Sequence, residues 1–467
     1  MTDAIMQLSV ADILKLYRKK SLSPVEVTQS CLKQIIKYNP VLNALCFMDE
    51  RATLHQARRA EKKWMKGEQA GLLEGIPVTI KDWFHVKGWP TRQGSKTSSH
   101  LPQPEDSPPV ARLREEGAIF IGKTTLPEYG HKGVTHSPLT GITRNPWNIE
   151  KTCGGSSGGA AVAAATGMAF LNLGSDAGGS IRIPASFSGV LGFKPSPGLV
   201  PSWPPSLFST LSAAGPLTRS VEDAALMMDV LAKPDARDWH ALPLPPPSFT
   251  GCLQKPLGKL KIAWAPQING IGPVPAVAEV IGRKITALQA LGTVEEIALK
   301  VPELTETFSS HWMAVASYIV AQFTNKQKKD VDPRFLDWAR RGDALRLHDY
   351  LAAEYARMTI GAQLKDLLTT YDILVTPTTA MAGFAAGADM PFDAKGKPWE
   401  DWTPFTYPAN LAKLPAASLP LGMTADGLPA GLQIMAGYLK DTLVLQASKR
   451  LEEALGFKGW LSQNDGG

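Results

Sequence analysis

Short runs of apolar, β-branched residues alternate with helical segments along this chain, and that alternation limits the folds open to it. IPVTI at 76–80, bounded by Gly75 and Asp82, predicts a buried strand. AIFI at 118–121 predicts another strand, and a helix predicted over 110–116 precedes it. Strands that are apolar on both faces must be covered on both sides, so the pattern indicates an α/β fold with helices on both faces of a sheet.

Further signals extend this pattern over the rest of the chain. Ser9, and Ser23 followed by Pro24, are typical helix N-caps. The other predicted elements are helices over 51–66 and 160–169 and strands over 170–174, 260–266, 372–378 and 416–422. The proline-rich segment 242–247 predicts a surface connector between two sets of elements.

Despite that connector, we expect one domain over residues 1–467, because the candidate chemistry lies before the connector and its pocket has to be closed by residues after it. The expected parts are a helical N-terminal part over about 1–70, a core that carries the chemistry over about 71–225, and a C-terminal part over 226–467 that completes the sheet and the substrate pocket.

Composition argues against nucleic acid as a partner. The chain is 44% hydrophobic and 20% charged, which is typical of a globular protein with a substantial core. Its net charge of +6 is spread along the sequence. The densest basic run, 326–329, is short and is followed by Asp330 and Asp332, which is typical of a solvated surface.

Cysteine usage and hydropathy predict a cytoplasmic protein. The four cysteines are far apart in the sequence, which fits neither a disulfide framework nor a zinc site and suits a reducing compartment. The N-terminal residues contain no unbroken apolar run, so we expect no signal peptide. The most apolar stretch, 160–173, is too short to span a bilayer, so we expect no membrane association.

Residues 117–124, GAIFIGKT, match the phosphate-loop pattern GxxxxGK[ST]. That pattern works only as an open glycine-rich loop whose N–H groups face phosphate. Here the intervening residues are those of the strand predicted at 118–121, and Pro127 interrupts the helix that should follow. We therefore reject nucleotide binding.

GGSSG at 154–158 matches GxSxG, the nucleophile elbow of α/β-hydrolases. The elbow requires a strand that runs directly into the turn, whereas residues 148–153 are polar and poorly suited to a strand. A Ser-His-Asp triad would also need a later histidine, and His240, His311 and His348 are the candidates. An esterase of this type remains a minor alternative.

The segment SDAGGSIRIP is a third candidate for reactive chemistry. Gly178 and Gly179 before Ser180 would let backbone N–H groups point at an oxygen near the Ser180 hydroxyl, as an oxyanion hole requires. Arg182 is placed to pair with Asp176 and to brace the turn. An ordinary Gly-Gly turn with a capping serine would have the same sequence, so this segment alone does not decide.

Lys81, at the end of the first predicted strand, is the candidate base. Lysine accepts a proton only when it is neutral, so burial would have to lower its pKa from about 10.4 toward neutrality. Three pKa units cost about 4 kcal/mol, which a structural lysine avoids by reaching solvent. Serine–lysine pairs replace histidine in some hydrolases, so two glycine-bracketed serines and this lysine suggest such a site.

GIPVTIKD, GGSSGG and SDAGGSIRIP resemble the three defining blocks of the amidase signature family. The spacing also agrees, since 75 residues separate Lys81 from Ser156 and 24 separate Ser156 from Ser180. TRNPWN, GFKPS, GPLTRSVEDAA and DGLPAGLQIM fit the family in order. The resemblance covers roughly residues 8–455 and implies the amidase signature fold, a central mixed, twisted β-sheet covered by helices on both faces.

The resemblance implies an amidohydrolase that cleaves a carboxylic-acid amide C–N bond through an acyl-enzyme on Ser180. Ser156, after a cis peptide bond from Gly155, would relay a proton between Ser180 and neutral Lys81. The implied oxyanion hole consists of the N–H groups of Ala177, Gly178, Gly179 and Ser180. The implied supporting residues are Ser157, Ser175, Asp176 and Arg182.

The implied partner is a small-molecule amide, with no metal or organic cofactor, and a homodimer is an assembly to be tested. We expect acyl-group specificity to come from loops at 129–135, 202–208, 311–323 and 398–405. The predicted substrate-binding residues are Tyr129, Gly130, His131, Trp203 and Phe208. Trp203, Phe208, Trp399 and Trp402 would line a pocket for an apolar or aryl amide, although such aromatics equally suit core packing.

The main alternative within the family is the A subunit of a glutamyl-tRNA or aspartyl-tRNA amidotransferase, which releases ammonia from glutamine together with partner chains. Those proteins carry an aspartate two residues before a stretch similar to FTYPANLA here, to hold the glutamine amino group. In this chain Thr403 has that position. They also carry a basic VKRRI-like run, whereas 345–358 reads LRLHDYLAAEYARM. Both differences argue against glutamine as substrate.

Overall fold

The computed structural model describes residues 2–243, 248–393, 395–399 and 401–464, so residues 244–247 of the predicted connector lie outside the described residues. The strands are β1 (Leu45–Met48), β2 (Pro77–Lys81), β3 (Ile119–Thr124), β4 (His136–Ser137), β5 (Gly141–Ile142), β6 (Leu171–Asp176), β7 (Leu191–Lys194), β8 (Ala213–Thr218), β9 (Leu260–Trp264), β10 (Gly292–Glu296), β11 (Ile373–Pro377), β12 (Ala416–Met423) and β13 (Pro429–Ala436). The helices are α1 (Thr2–Met6), α2 (Val10–Arg18), α3 (Pro24–Leu42), α4 (Glu50–Lys66), α5 (Pro108–Glu115), α6 (Gly158–Ala165), α7 (Arg182–Ser188), α8 (Val221–Leu231), α9 (Phe249–Leu253), α10 (Pro275–Lys284), α11 (Leu304–Ala321), α12 (Pro333–Asp343), α13 (Leu347–Thr370), α14 (Tyr407–Leu411), α15 (Asp441–Leu455) and α16 (Trp460–Asn464).

The helix starts predicted in the N-terminal part are confirmed, because the serines cap them. The Ser9 hydroxyl accepts the N–H of Asp12 at the start of α2. The Ser23 hydroxyl accepts from Glu26, whose carboxylate accepts the N–H of Ser23 in return, so α3 begins with a capping box. The predicted strands are confirmed as β2, β3, β6, β9, β11 and β12.

Eleven strands of the described residues form one mixed sheet in the order β1-β3-β2-β6-β8-β7-β12-β13-β11-β9-β10. Strand β2 is parallel to β3 and β6, β9 is parallel to β10 and β11, and the other neighbours are antiparallel. Segments from before and after the connector join where β7 pairs with β12, with Phe193 opposite Ala417. The two sets of elements therefore complete a single sheet.

The inner strands of this sheet are closed to solvent on both faces. Every residue of β2, β3, β11 and β13 is buried. Because successive side chains point to opposite faces, a fully buried strand must be covered on both sides. Helix α6 packs on β2, β3 and β6, while α7 and α15 pack on β12 and β13. The α/β fold with a mixed central sheet is confirmed.

The phosphate-loop match at 117–124 falls largely within strand β3 rather than in an open loop. Lys123 is fully buried there, with its Nζ 2.6 Å from Asp82 and its remaining donors directed to Pro90 O and the Thr91 hydroxyl. The three N–H donors of the Lys123 ammonium group are therefore bound by protein atoms and not directed at a phosphate site. Across the described ranges, none of the helices combines the length and hydropathy that a bilayer span requires.

Candidate active site

Two neighbouring parallel strands place the first candidate residues at one edge of the sheet. Strand β2 ends at Lys81, and β6 carries Ser175 at its penultimate position. The two strands run in register, with Ile80 opposite Leu173. Because the carboxyl ends of parallel strands meet at the same edge, both side chains reach one crevice, where ligands bind in open α/β sheets.

Lys81 lies among three serine hydroxyls. Its Nζ is 2.8 Å from Ser156 Oγ, 2.8 Å from Ser157 Oγ and 3.0 Å from Ser175 Oγ. Burial lowers the pKa of Lys81 to about 7, against an opposing effect of the Asp176 charge. A substantial fraction of Lys81 is therefore neutral at neutral pH, which is the state that a base requires.

The hydrogen-bond directions leave the Ser156 hydroxyl able to donate its proton to a neutral Lys81. The Ser157 hydroxyl donates to Ser175 O at 3.0 Å, so toward Lys81 it acts as an acceptor. Within the part of the chain that the structure describes, the hydroxyls of Ser156 and Ser175 each have Lys81 as their one hydrogen-bond partner, at 2.8 Å and 3.0 Å. When Lys81 is neutral, the Ser156 proton is therefore free to point at Nζ.

Close backbone packing explains the glycines around these serines. The peptide bond between Gly155 and Ser156 is cis. A side chain at Gly155 would overlap the backbone of Val134. The Ser157 N–H donates to Ser180 O at 3.0 Å and ties this segment to the turn after β6. The glycine-rich block is thus a tightly held backbone and not a flexible tether.

Asp176 and Arg182 form a fully buried ion pair beneath that turn. Arg182 Nε is 2.9 Å from Asp176 Oδ2, and Nη2 is 2.9 Å from Oδ1. Burial alone would raise the pKa of Asp176, but the guanidinium holds it well below its usual range. The other acceptors of Arg182 are Thr406 O, Gln433 Oε1 and Asn410 Oδ1. The pair therefore links β6 to α14 and β13.

The ionised Asp176 carboxylate also organises the turn that leads to Ser180. It accepts the N–H of Gly179 at 2.7 Å and that of Ile181 at 3.1 Å. Gly179 has a φ of +122°, a conformation that favours glycine. The carboxylate and the glycine together fix the path of the backbone into the serine.

The expected four-donor oxyanion hole needs one correction. The Gly179 N–H is already engaged by a buried carboxylate that needs donors, so it does not face the substrate side. The N–H groups of Ala177, Gly178 and Ser180 have no partner among the hydrogen bonds of the described residues. These three groups remain the candidates for stabilising an oxyanion.

A cavity of about 100 Å³ opens onto Ser180 and Gly178. Its wall is a stack of aromatic rings: Phe308 lies on Tyr407 with 3.9 Å between ring centroids and on Trp312 with 4.8 Å. The remaining lining residues include His131, Lys132, Gly133, Ile183, Thr305, Ser309, Arg334, Trp338, Asp389, Met390, Trp402 and Thr403. A flat apolar group fits against such a wall.

Two of the residues predicted to bind substrate lie at or next to the reactive groups. His131 lines the cavity, and its carbonyl accepts the indole N–H of Trp312 at 2.8 Å. A side chain at Gly130 would begin 3.4 Å from Ser156 Oγ, so Gly130 faces the Ser156 hydroxyl. Trp402, predicted as a pocket residue, also lines the cavity.

The other three predicted substrate-binding residues do not line this cavity. Phe208 lies one layer behind it, stacked on Trp312 at 4.2 Å. The Tyr129 hydroxyl bonds to Thr97, and its ring stacks on Phe335. Trp203 donates its indole N–H to the exposed Glu105 at 3.0 Å.

Helix α11 contributes Phe308 and Trp312 to the cavity wall, and the sequence predicted a loop over part of this helix. The expectation of a loop over 311–323 is wrong, since most of that range belongs to α11. Buried residues recur at every fourth position from Leu304 to Val320 and include Phe308 and Trp312, and this period would have predicted a helix with one buried face. Of the predicted range 398–405, Glu400 lies outside the described residues.

The structure does not support the nucleophile-elbow alternative. No strand runs into Ser156, since residues 148–153 contain only isolated bridges. His311 is bonded to Thr307 O and to Glu354, His348 lies on the surface beside Asp349, and His240 faces Ser209. Among the described residues, no group of three or more histidine, cysteine, aspartate and glutamate side chains is placed to hold a metal ion.

Comparisons with known proteins identify the relatives of this chain. The model of the family described as Amidase matches residues 26–445. An acylamidase from Rhodococcus erythropolis is 34% identical over 461 residues, 95% of each chain, and a glutamyl-tRNA(Gln) amidotransferase A subunit from Cyanothece is 33% identical over 477 residues, 95% of this chain and 98% of that one. The crystal structure of a bacterial aryl acylamidase of the amidase signature enzymes superposes with a TM-score of 0.89 at 29% identity, over 98% of this chain and 97% of that one.

Proposed function

This chain belongs to the amidase signature family and is an amidohydrolase, and we propose that it is a free-standing hydrolase of small apolar or aryl amides that uses Ser180 as its nucleophile. The observation that carries the proposal is the desolvated Lys81, hydrogen-bonded to Ser156 beside a cavity that opens onto Ser180. The aromatic cavity wall and the acylamidase relatives support the substrate class.

In the acylation step, neutral Lys81 accepts the proton of Ser156 while Ser156 accepts that of Ser180, whose Oγ attacks the amide carbonyl. The N–H groups of Ala177, Gly178 and Ser180 stabilise the oxyanion. As the C–N bond breaks, the proton passes back through Ser156 to the leaving nitrogen. The products of this step are a neutral amine and an acyl ester on Ser180.

In the deacylation step, water takes the place of the amine and loses its proton along the same path to Lys81. The resulting hydroxide attacks the ester, and the oxyanion is held by the same N–H groups. When the ester bond breaks, the proton returns through Ser156 to Ser180 Oγ. The carboxylic acid leaves, and Lys81 is neutral again.

The state of Lys81 predicts how the rate depends on pH. Because only neutral Lys81 acts as base and its pKa is about 7, kcat/KM should rise about tenfold per pH unit below pH 7 and level off above it. Acetanilide hydrolysis measured from pH 5 to 11 checks this. A single rise centred near pH 10 would contradict a desolvated base.

The same pKa has a consequence for folding. The ordinary value of 10.5 lies above the folded value of about 7, so between these pH values the unfolded chain holds a proton that the folded chain has lost. The free energy of unfolding therefore increases as pH rises from about 7 to 10.5. This stabilisation by neutral Lys81 is lost as pH falls through the folded-state pKa of about 7.

The aromatic wall predicts a preference for aryl amides that depends on Phe308. Phe308→Leu keeps an apolar side chain but removes the ring stacked on Tyr407, so kcat/KM for acetanilide or benzamide should fall about tenfold, with little change for acetamide. Phe323→Leu is the matched control, because Phe323 packs on Tyr129 and not on the cavity. Equal losses for aryl amides and acetamide would remove the evidence for an aryl subsite.

The amidotransferase alternative is tested in the same assay with L-glutamine. Thr403 lines the cavity and exchanges a hydrogen bond with the Tyr407 hydroxyl at 2.9 Å, so the sequence position at which the amidotransferase subunits carry an aspartate is neutral in this chain. We expect ammonia release from glutamine to be negligible beside acetanilide hydrolysis. Faster turnover of glutamine than of any aryl amide would favour the alternative.

Two further parts of the proposal rest on the sequence and on the family. They are a cytoplasmic location, which suits four separated cysteines, and a homodimer as the assembly to be tested first. All four cysteines are free thiols in the structure. Sedimentation velocity of the purified chain at several concentrations decides between monomer and dimer.

A further inference from the structure

A second cavity, of about 690 Å³, lies between helix α13, the segment after α14 and the residues that follow β13. Its volume falls in the ~300–1,000 Å³ range of small-molecule sites. None of the residues that line it also lines the cavity at Ser180. We call this cavity the α13 groove; the lining residues at its centre are Arg357, Met358, Lys365, Leu411, Lys413 and Tyr438.

The α13 groove has an apolar base. Leu411 and Leu414 are buried there, at 2% exposure each. Met358 and Tyr438 also line the groove and are largely exposed, at 63% and 41%. Large apolar side chains that stay open to solvent inside a concave surface mark a binding site for an apolar group more often than scattered surface residues do.

The charge of the groove is strongly one-sided. Four cations line it, Arg357, Lys365, Lys413 and Lys440, against one carboxylate, Glu354. The Glu354 carboxylate is already shared, since its Oε1 is 2.8 Å from His311 Nε2 and 3.7 Å from Arg357 Nη1. Across the described part of the chain, no carboxylate lies within ion-pair distance of the three lysines. The groove therefore favours an anionic ligand.

Arg357 is a fixed cation with a donor to spare. Its side chain is only 11% exposed, Nε donates to Leu411 O at 3.1 Å, and Nη2 donates to the Thr210 hydroxyl at 2.7 Å. Among the described residues, the one contact of Nη1 is the longer ion pair with Glu354, at 3.7 Å. A desolvated guanidinium that is held in place and has an N–H to spare is suited to a planar carboxylate.

Lys413 is also held at the groove by the backbone. It has a φ of +61°, and its Nζ lies 5.3 Å from the centre of the Tyr438 ring. A non-glycine residue with positive φ is uncommon and persists only when its surroundings fix it. The cation–π contact places the ammonium group beside the Tyr438 ring of the groove.

We propose that the α13 groove binds a small carboxylate that carries an apolar chain or ring. The carboxylate lies on Arg357 and Lys413, and the apolar part packs on Leu411, Leu414 and Tyr438. Hydrolysis of an amide releases a carboxylate, so the chain produces ligands of this class itself.

Helix α14 connects the groove to the active site, and Thr210, Lys413 and Tyr438 of the groove also line a cavity that Ser175 lines. Leu411 is the last residue of α14. The same helix carries Tyr407 to the wall of the Ser180 cavity and Asn410 to Asp176, whose Oδ1 is 3.0 Å from Asn410 Nδ2. A ligand in the groove therefore packs against an element that also shapes the active site.

Calorimetric titration of the purified chain with sodium octanoate tests the proposal, with 1-octanol and octyltrimethylammonium as neutral and cationic probes. We expect octanoate to bind at least tenfold more tightly than either. Lys413→Gly should weaken octanoate binding about fivefold and Lys365→Gln about threefold, since each removes one charge. Glycine accepts the positive φ, so Lys413→Gly should fold normally.

Lys259→Gln is the matched control, because Lys259 is exposed and does not line the groove; its affinity for octanoate should equal that of the unchanged chain. Octanoate that enters the Ser180 cavity would appear as competitive inhibition of acetanilide hydrolysis, and groove variants should not alter that inhibition constant. The proposal is overturned if octanoate does not bind, if the groove variants bind it normally, or if 1-octanol binds equally well. Self-association that Met358→Ser abolishes would also overturn it and would assign the groove to a second copy of the chain.

Discussion

Replacing Ser180 by alanine is expected to lower kcat/KM for amide hydrolysis by more than about 10⁴-fold while leaving the fold intact. The change removes the proposed nucleophile, and the oxyanion N–H groups and the cavity alone supply only a small residual rate. Stability should change by less than about 1 kcal/mol, because the substitution deletes one hydroxyl that opens onto a cavity. Steady-state kinetics with acetanilide and thermal unfolding measure the two effects.

Labelling identifies which serine reacts. We expect a fluorophosphonate to modify Ser180 in the unchanged chain, as read by peptide mapping, and Lys81→Ala to lose the label because the proton path is cut. Ser156→Ala should lose activity comparably, since residues that act as a unit have non-additive effects. An adduct on Ser156, or a Ser180→Ala variant that keeps its activity, would refute the assigned roles.

Arg182→Met is expected to cost about 3–5 kcal/mol in the free energy of unfolding and to abolish hydrolysis. The substitution leaves Asp176 as a fully buried, unpaired anion, and breaking a buried ion pair from one side is strongly destabilising. It also removes the guanidinium donor from the acceptor oxygens of Thr406, Gln433 and Asn410, which then lose these hydrogen bonds. Urea denaturation at pH 7 measures the loss.

The double variant Asp176→Asn/Arg182→Met is the control for this effect. Removing both charges should destabilise the chain less than Arg182→Met alone, because no uncompensated charge remains. The deficit of the single variant should also shrink at acid pH, since an unpaired Asp176 takes up a proton more readily than the paired one. A single variant within about 1 kcal/mol of the unchanged chain would show that the pair does not support the turn.

The local features of the fold followed from the sequence. The caps at Ser9 and Ser23 and the strands β2, β3 and β6 depend on residue periodicity and on side chains within a few positions of each other. The glycine-rich stretch at 154–159 was locally compatible with a flexible segment or a tightly held backbone, and the packing of Gly155 against Val134 decides for the second.

The wall of the cavity was only partly predictable. The fourfold spacing of Leu304, Phe308 and Trp312 could have identified α11 as a helix with a buried face. Nothing in that spacing says that Phe308 stacks on Tyr407, about a hundred residues later. Trp203 failed as a pocket residue for the same reason, since a surface aromatic and a pocket aromatic look alike in sequence.

Periodicity located the strands and the candidate residues at their ends, because it is a property of neighbouring residues, whereas the roles of Lys81, Ser156 and Ser180 were implied by the resemblance to the amidase signature family. Three properties of the site needed the folded chain: the pKa of Lys81 near 7, the bond from the Gly179 N–H to Asp176, and the aromatic cavity in front of Ser180. They depend on desolvation and on contacts between segments that are distant along the chain. The packing of the sheet and helices brings those segments together, and no local sequence pattern specifies that packing.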